Sequence, residues 1–286
     1  MAIVKRLECD EWQGGSVRLQ RLGIVDYLGV LTNFVGKTLT IAELEARKLH
    51  HDATELITRT VQPALWLLIF GEVLASVRAI PTGSLPYMDF MAPGILAQSV
   101  LFIAIFYGIA IIWERDLGII HKLLATPTPR SALVLGKALS AGERGLAQAV
   151  IIYVLAFALG VHISWAPLDL IGVFAVVILG SALFSTFSLI IACLVKTRER
   201  FMGIGQVLTM PLFFASNAIY PISIMPRWLQ MVSQANPLTY EVDALRRLMI
   251  VNGPSVYGIG FDFLFLVAAC VINVGIASRL YPRVVV

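Results

Sequence analysis

The stretch MAPGILAQSVLFIAIFYGIAII, residues 91–112, decides the fold of this 286-residue chain, because it contains no charged side chain. A helix rises about 1.5 Å per residue, so a run of this length can cross a hydrocarbon core of about 30 Å. The whole chain is 58% hydrophobic and 14% charged, whereas soluble domains carry about 25% charged residues. The sequence therefore predicts an integral membrane protein.

Five more apolar segments complete an all-α prediction of six transmembrane helices: residues 60–77, 145–161, 168–195, 201–220 and 258–280. Lysine and arginine collect on the cytoplasmic side of membrane proteins. With both termini placed in the cytoplasm, 18 of the 22 lysines and arginines fall on that side. We therefore expect a multi-pass protein with both termini in the cytoplasm. The inner (plasma) membrane of a bacterium is the default location, and an organellar membrane of bacterial descent is the alternative. The net charge of +4 gives no reason to expect nucleic acid binding.

The predicted six-span domain, residues 60–286, follows a cytoplasmic N-terminal segment, residues 1–59. In that segment small and apolar residues recur at spacings of three and four, on one stripe of a helix: Ala42, Ala46, Leu49, Ala53 and Leu56. Such an amphipathic helix either lies in the membrane interface, as an interfacial connecting helix, or packs on protein. The pattern is compatible with both interpretations.

A charged insert, WERDLGIIHKLLATPTPR at residues 113–130, follows the second span. Apolar and charged residues segregate on a helical wheel, which predicts a short amphipathic helix over residues 114–126. Pro127 and Pro129 end this helix, because proline cannot continue it. A stiff helix between two spans can transmit a push, so we interpret the insert as a handle for a cytoplasmic partner rather than a plain loop.

Residues 216–247 lie between the fifth and sixth spans, on the outer side, and contain three prolines. The segment is too apolar for a free loop, and the prolines break it too often for a single span. Irregular backbone at membrane depth is tolerated where protein buries it or water reaches it. The sequence therefore predicts a partial re-entrant hairpin that dips in from outside and packs against the spans.

No catalytic or metal-binding motif is present in the sequence. The stretch Gly36–Lys37–Thr38 resembles the end of a phosphate-binding loop, but position 31 is leucine where that loop requires glycine. The three cysteines lie far apart, and the adjacent His50 and His51 point to different faces of a helix. We therefore predict no catalytic residue, no metal site and no cofactor bound by this chain.

Four polar residues inside apolar segments are candidates for a substrate path: Glu72, Ser181, Ser185 and Asn217. An acid inside a span is a functional candidate by default, although Glu72 also fits a wet position near the outer end of its span. Serines on one helix stripe are typical of close helix packing. Single amides such as Gln206 and Asn273 are expected to bond to neighbouring helices, as Asn217 also can.

Three stretches carry a family resemblance: RTVQPALWLLIFGEV at residues 59–73, WERDLGIIHKLLATPTPRSALVLGKALS at 113–140 and NAIYPISIMPRWLQMVSQANPLTYEVDALR at 217–246. Together they resemble the membrane subunits of type 2 ABC exporters, the class that includes daunorubicin-resistance and nodulation-factor permeases and polysaccharide exporters. The third stretch is the most specific, because it carries Asn-Pro-Leu-Thr-Tyr and Asp-Ala-Leu-Arg in one outer segment. Glu72 departs from the apolar residue that the family usually has there.

The resemblance implies a homodimer of permeases in the lipid bilayer, docked to two copies of a cytoplasmic ATPase that binds ATP and Mg²⁺. Residues 114–126 would be the coupling helix that enters a groove of the ATPase, through Glu114, Arg115, Asp116, Leu117, Ile120, Lys122 and Leu123. The re-entrant segment 216–247 would form the outer gate, with Pro221, Pro226, Trp228, Asn236, Pro237, Tyr240, Asp243 and Arg246.

The resemblance is closest to the drug-resistance branch, so the expected function is ATP-driven export of drugs or other amphipathic, lipid-like compounds. Export of a polysaccharide or a lipid-linked glycan by the same mechanism is the alternative. An ion-coupled secondary transporter that uses Glu72 is an alternative of another class, and it would need no ATPase partner. A membrane subunit that signals or senses, instead of carrying cargo, is a third interpretation.

Overall fold

The computed structural model describes residues 34–40, 43, 60–77, 80–83, 85–125, 128–195 and 197–281, apart from the side chains of residues 121, 123 and 124. The chain divides into two compact units, residues 1–36 and 37–286, and the helices numbered below belong to the second. The predicted amphipathic stripe from Ala42 to Leu56 lies outside the described residues, as does most of the predicted cytoplasmic segment 1–59.

Regular structure in the described part of the chain is almost entirely helical. Besides a helical stretch over residues 34–40 and a 3-10 helix, Ile222–Ile224, the helices are α1 (Thr60–Val77), α2 (Tyr87–Asp116), α3 (Ile119–Leu124), α4 (Arg130–Ala158), α5 (Pro167–Leu194), α6 (Arg198–Phe214), α7 (Arg227–Ala235), α8 (Pro237–Met249) and α9 (Ile259–Leu280). Among the described residues, strand pairing is limited to one antiparallel bridge, between Ile163 and Ile250.

Five of these helices, in the part of the chain that the structure describes, are long and apolar enough to cross a membrane: α1, α2, α4, α5 and α9. The fifth predicted span, residues 201–220, differs from the structure, in which α6 ends at Phe214 after 17 residues. A polar residue contributes to this early end, because the Ser216 hydroxyl donates to the Phe213 carbonyl at 2.7 Å. The helices indicate a multi-pass membrane protein, and the six-span topology stays a prediction.

Helix α2 occupies the centre of the bundle, where it packs against α4, α5, α6 and α8. Its close approach to α5 depends on Gly108, since an added Cβ would overlap the Ser188 hydroxyl, which donates to the Ile105 carbonyl. Helices α4 and α5 approach each other at Gly145 and Ser181 in the same way. Small residues let backbones come close in lipid, where helices gain little from the hydrophobic effect.

Helices α1 and α9 lie at the periphery of the bundle. Both expose apolar side chains along their outer faces, among them Phe70, Val73, Leu264 and Val271. Helix α1 contacts α2, and its Trp66 ring also packs edge-on against the Phe213 ring of α6, with 5.9 Å between centroids. Helices α1, α2 and α6 are therefore neighbours, and a cavity lies among them.

Candidate functional site

The charged stretch after α2 forms two pieces instead of the single helix predicted over residues 114–126. Helix α2 continues through Asp116, Leu117 and Gly118 form a turn, and α3 follows. Gly118 has a φ of +70°, a left-handed conformation that glycine adopts without steric cost. A glycine in this conformation commonly ends a helix, which explains the break that the helical wheel did not predict.

A buried ion pair joins the end of α2 to α4. The Lys137 Nζ atom donates to the Glu114 carboxylate at 2.6 Å, and the two side chains are 4% and 8% exposed. Glu114 therefore lies inside the protein, whereas the resemblance implied that it contacts the ATPase. Helix α3 lies between α2 and α4 in the chain, so this pair holds together the two helices that flank α3.

A second contact joins the end of α2 to the start of α6. The Arg198 guanidinium donates to the Asp116 carboxylate at 2.7 Å, and its Cζ atom lies 3.5 Å from the centroid of the Trp113 ring. Arg115 donates to the same carboxylate at 3.0 Å. We call the contact of Trp113, Asp116 and Arg198 the latch. It links the turn before α3 to the first turn of α6.

The other predicted coupling residues divide into a buried and an exposed group. Ile120 is buried, whereas Leu117 and Lys122 are exposed, together with the neighbouring Ile119. The side chain of Leu123 lies outside the described residues. We call the surface formed by the end of α2, α3 and the start of α6 the corner. It exposes apolar and basic side chains together with the acid Asp116, a mixture that is suitable for contact with another protein.

The segment that was predicted to face outward, residues 216–247, contains a short amphipathic helix, α7, and most of a buried helix, α8. We keep the name outer segment for it. Asn236 starts α8, because its Oδ1 atom accepts from the Leu238 amide at 3.0 Å while its Nδ2 atom donates to the Leu212 carbonyl of α6 at 2.6 Å. Pro237 takes the first position of α8, where its missing N–H would have no helical partner in any case. The Asn-Pro pair thus ties α8 to α6.

Two charged residues of α8 bond to backbone groups of neighbouring segments. The Asp243 carboxylate accepts from the Val256 amide at 2.8 Å, in the loop before α9. The Arg246 guanidinium donates to the Asn217 carbonyl at 2.6 Å, and its Cζ atom lies 3.8 Å from the centroid of the Phe90 ring on α2. These contacts fix the outer segment to α2 and to the loop that leads into α9.

The remaining predicted gate residues lie at different depths. Tyr240 is buried, donates to the Gln234 carbonyl at 2.6 Å and stacks on the Phe265 ring of α9 with 4.0 Å between centroids. Trp228 on α7 is 63% exposed. Pro226 is also exposed, and Pro221 is half-buried. The role of these residues as a gate stays a prediction.

Helix α8 also reaches the middle of α5 through a residue that the sequence did not single out. Glu241 is fully buried and packs on Gly180, halfway along α5, where an added Cβ would overlap the carboxyl group. Among the described residues its two carboxyl oxygens have no hydrogen-bond partner. The outer segment therefore extends well into the bundle, and its re-entrance into a bilayer stays a prediction.

A cavity of about 440 Å³ lies between α1, α2 and α6, within the range of about 300–1,000 Å³ that is usual for small-molecule sites. Its polar lining consists of three glutamines and a serine: Gln62, Gln98, Ser99 and Gln206. Its apolar lining includes two aromatic rings and two thioethers: Phe102, Phe106, Met202 and Met210. None of the described residues that line the cavity carries a charge.

The cavity and the latch share one face of α6. Arg198, Met202, Gln206 and Met210 follow one another at intervals of four residues, which places them on one stripe of the helix. The first of them belongs to the latch, and the other three line the cavity. A displacement of the first turn of α6 therefore also displaces one wall of the cavity.

The comparison with protein families agrees with this architecture. The family model described as ABC-2 type transporter matches residues 37–250, which include α1 to α8. The chain belongs to the ABC-2 type transporter family. The match covers both the charged stretch at residues 113–130 and the outer segment of the permease.

Several relatives of the permease carry transport names. It is 29% identical over 195 residues to the transport permease ycf38 of Cyanophora paradoxa, which covers 68% of this chain and 67% of the relative. It is 25% identical over 215 residues to the daunorubicin resistance ABC transporter permease protein DrrB1 of Streptomyces coeruleorubidus, with 75% of each chain covered. The inner membrane transport permease YadH of Escherichia coli is 25% identical over 224 residues, with coverage of 74% and 83%. The predicted resemblance is thus confirmed.

The residues predicted to form a substrate path lie elsewhere than the cavity lining of the permease. Ser181 and Ser185 are buried within the helix packing, and Asn217 is buried beside Arg246. Glu72 is exposed on α1. The two serines thus take part in close helix packing, which was one of the two interpretations of their spacing. A role of the four residues in transport stays a prediction.

Proposed function

We propose that the permease is the membrane subunit of an ATP-driven exporter that moves amphipathic compounds outward. Two copies of the chain pair in the inner membrane and dock two cytoplasmic ATPase subunits, which bind ATP and Mg²⁺. Membership of the ABC-2 family supports an ATPase partner. The daunorubicin resistance permease among the relatives favours amphipathic cargo.

The observation that carries the proposal is a continuous route from the charged corner to the cavity. Closure of the ATPases on ATP would push α3, and the buried pair of Glu114 and Lys137 makes the ends of α2 and α4 move together. The latch passes the displacement to Arg198 at the start of α6. Helix α6 in turn forms one wall of the cavity, so a push at the corner changes the cavity.

The outer segment completes the transport cycle in this proposal. Asn236 bonds to the last turn of α6, so a shift of α6 also pulls on α8. Helix α8 is packed against α2, α5 and α9, and it covers the bundle on the predicted outer side. We propose that this segment is the outer gate, which opens when α6 moves and admits cargo to the outside.

Docking is tested at the exposed part of the corner, with the full permease and its cognate ATPase in lipid nanodiscs. Leu117→Asp and Lys122→Glu should each abolish co-purification of the ATPase, because they replace an apolar and a basic contact with acids. Arg227→Glu, an equally exposed position on α7, is the matched control and should leave co-purification unchanged. Normal co-purification of both corner variants would exclude α3 as the coupling helix.

Transmission is tested at the latch. Arg198→Ala should keep the ATPase bound but reduce amphiphile-stimulated ATP hydrolysis by about tenfold, which corresponds to a rise of about 1.4 kcal/mol in the activation free energy. Arg200→Ala is the matched control, because Arg200 is exposed two residues further along α6. Equal hydrolysis in the two variants contradicts the route. Export that needs no ATPase and stops when the proton gradient is dissipated would instead support an ion-coupled transporter that uses Glu72.

A further inference from the structure

The cavity between α1, α2 and α6 is amide-rich and partly aromatic, and this composition restricts the cargo it can hold. Gln62, Gln98 and Gln206 come from three different helices, so their side chains approach the space from different sides. Each amide can both donate and accept hydrogen bonds without carrying a charge. The described lining residues thus provide hydrogen bonds in several directions and no countercharge.

Gln98 gives the strongest indication of a ligand. Its side chain is 2% exposed and lines the cavity. Among the described residues, its Oε1 atom has no hydrogen-bond partner. A buried acceptor without a partner is unfavourable, and a hydroxyl or amide N–H group of a ligand would satisfy it. The space next to the Gln98 Oε1 atom therefore suits a hydrogen-bond donor of a ligand.

Charged head groups fit this cavity less well than neutral ones. An ammonium or a carboxylate that enters loses its hydration, and only an opposite charge or several strong hydrogen bonds can offset that cost. Phe102 and Phe106 can attract a cation through their ring faces. However, the two rings lie one turn apart on α2 with 6.0 Å between centroids, and no acid among the described lining residues adds to this attraction. The aromatic rings are better placed to contact an apolar body.

We propose that the permease selects uncharged amphiphiles whose head groups donate hydrogen bonds through hydroxyl or amide groups. The apolar or aromatic body of the cargo packs on Phe102, Phe106 and Met202, and the head group bonds to Gln98. This inference rests on the proposed export function and narrows its cargo. A permease for cationic drugs would need an acid at the cavity, and Glu72, the acid of α1, lies outside the lining.

The experiment measures binding to the full permease in lipid nanodiscs, with four pyrene-labelled alkyl chains of equal length as probes. Their head groups are a glucoside, its permethylated form, trimethylammonium and sulfate. Energy transfer from tryptophan to pyrene reports binding, after subtraction of the signal from nanodiscs without the permease. The glucoside should bind at least about tenfold more tightly than the other three, because a site that hydrogen-bonds a donor rejects analogues that lack it.

Two substitutions at one position test the role of Gln98. Gln98→Met removes the acceptor at similar volume and should abolish the preference for the glucoside over its permethylated form. Gln98→Glu introduces a carboxylate and should shift the preference to the trimethylammonium probe. The same pair at Gln206, on the facing helix, repeats the test if the Gln98 variants do not elute as folded protein. Gln148→Met is the matched control, because Gln148 is buried on α4 outside the cavity lining.

Several outcomes would overturn the inference: equal binding of the four probes, tighter binding of a charged probe, no specific binding, or unchanged selectivity in the Gln98 and Gln206 variants. ATP hydrolysis by the complex separates this failure from failure of the proposed function. If charged probes stimulate ATP hydrolysis and the glucoside does not, the proposed export function stands and the inference about uncharged cargo is wrong. If the permease binds the glucoside selectively but associates with no ATPase, the inferred binding site stands and the proposed ATP-driven export is wrong.

Discussion

The corner around α3 and the outer segment both hold charged residues in a mainly apolar chain, but the two regions bond these charges in different ways. At the corner, charged side chains pair with one another across helix ends, Glu114 with Lys137 and Asp116 with Arg198. In the outer segment, Asp243 and Arg246 bond to backbone groups, and Glu241 is buried without a hydrogen-bond partner among the described residues. Pairs of side chains thus join the helix ends at the corner, whereas bonds to backbone groups hold the outer segment in place.

This difference indicates which region can move within itself. Long side chains can keep an ion pair while their helices shift by a small distance, because they have several rotatable bonds. A bond to a backbone carbonyl follows any movement of the segment that carries the carbonyl. We therefore expect the corner to adjust internally and transmit motion, and we expect the outer segment to move as one body.

The largest expected effect comes from the buried pair of the corner. Lys137→Met removes the lysine that pairs with the buried Glu114 carboxylate, which should lower the free energy of unfolding by about 3–5 kcal/mol. Denaturant unfolding of the purified permease in detergent measures this change. The double variant Glu114→Gln with Lys137→Met should recover most of the loss, because it also removes the buried negative charge.

Lys122→Met is the control for that experiment, because Lys122 is exposed on the neighbouring helix α3. It should leave the unfolding transition where it is. If Lys137→Met also unfolds like the native chain, the pair does not hold α2 to α4. The proposed route then lacks the contact that makes the ends of these two helices move together.

A somewhat smaller effect is expected in the outer segment. Arg246→Met leaves the Phe90 and Asn217 carbonyls without their donor, which should cost about 2–3 kcal/mol of unfolding free energy. Arg247→Met changes the next residue in the same way, but Arg247 is exposed, so its effect should be close to zero. The same unfolding measurement compares the two variants. Similar losses in both would mean that the backbone bonds of Arg246 do not fix this segment.

Much of the fold could be predicted from apolar length alone. The predicted span 168–195 corresponds to Pro167–Leu194 in the structure, and 258–280 corresponds to Ile259–Leu280. The errors lie where polar or small residues act locally. Gly118 breaks the predicted coupling helix, and Ser216 helps to end α6 before the predicted boundary. Neither effect changes hydrophobicity enough to be visible in an apolar run.

The candidate site was less accessible from the sequence, because its contacts join residues that are distant in the chain. Nothing local distinguishes Glu114 from an exposed acid, since its partner lies on another helix. Gln206 was expected to bond to a neighbouring helix, whereas it is exposed at the cavity. The interval of four residues from Arg198 to Met210 was present in the sequence, but its meaning depends on which helix it faces. Asn273, by contrast, bonds to the Leu183 carbonyl as expected.

The smallest effect on stability is expected at the latch. This prediction distinguishes a contact that transmits motion between helices from one that stabilises their packing. Asp116→Asn should leave the melting temperature unchanged within error, because exposed ion pairs contribute little and Arg198 keeps its contact with Trp113. Stimulated ATP hydrolysis should still fall, by less than in Arg198→Ala, because half of the latch remains. Salt of about 1 M should reproduce the fall in the native chain, since the screening length then shortens to about 3 Å, close to the 2.7 Å that separate Arg198 and Asp116. A loss of melting temperature as large as that of Lys137→Met would show that the latch, like the buried pair, holds the helices together instead of passing motion between them.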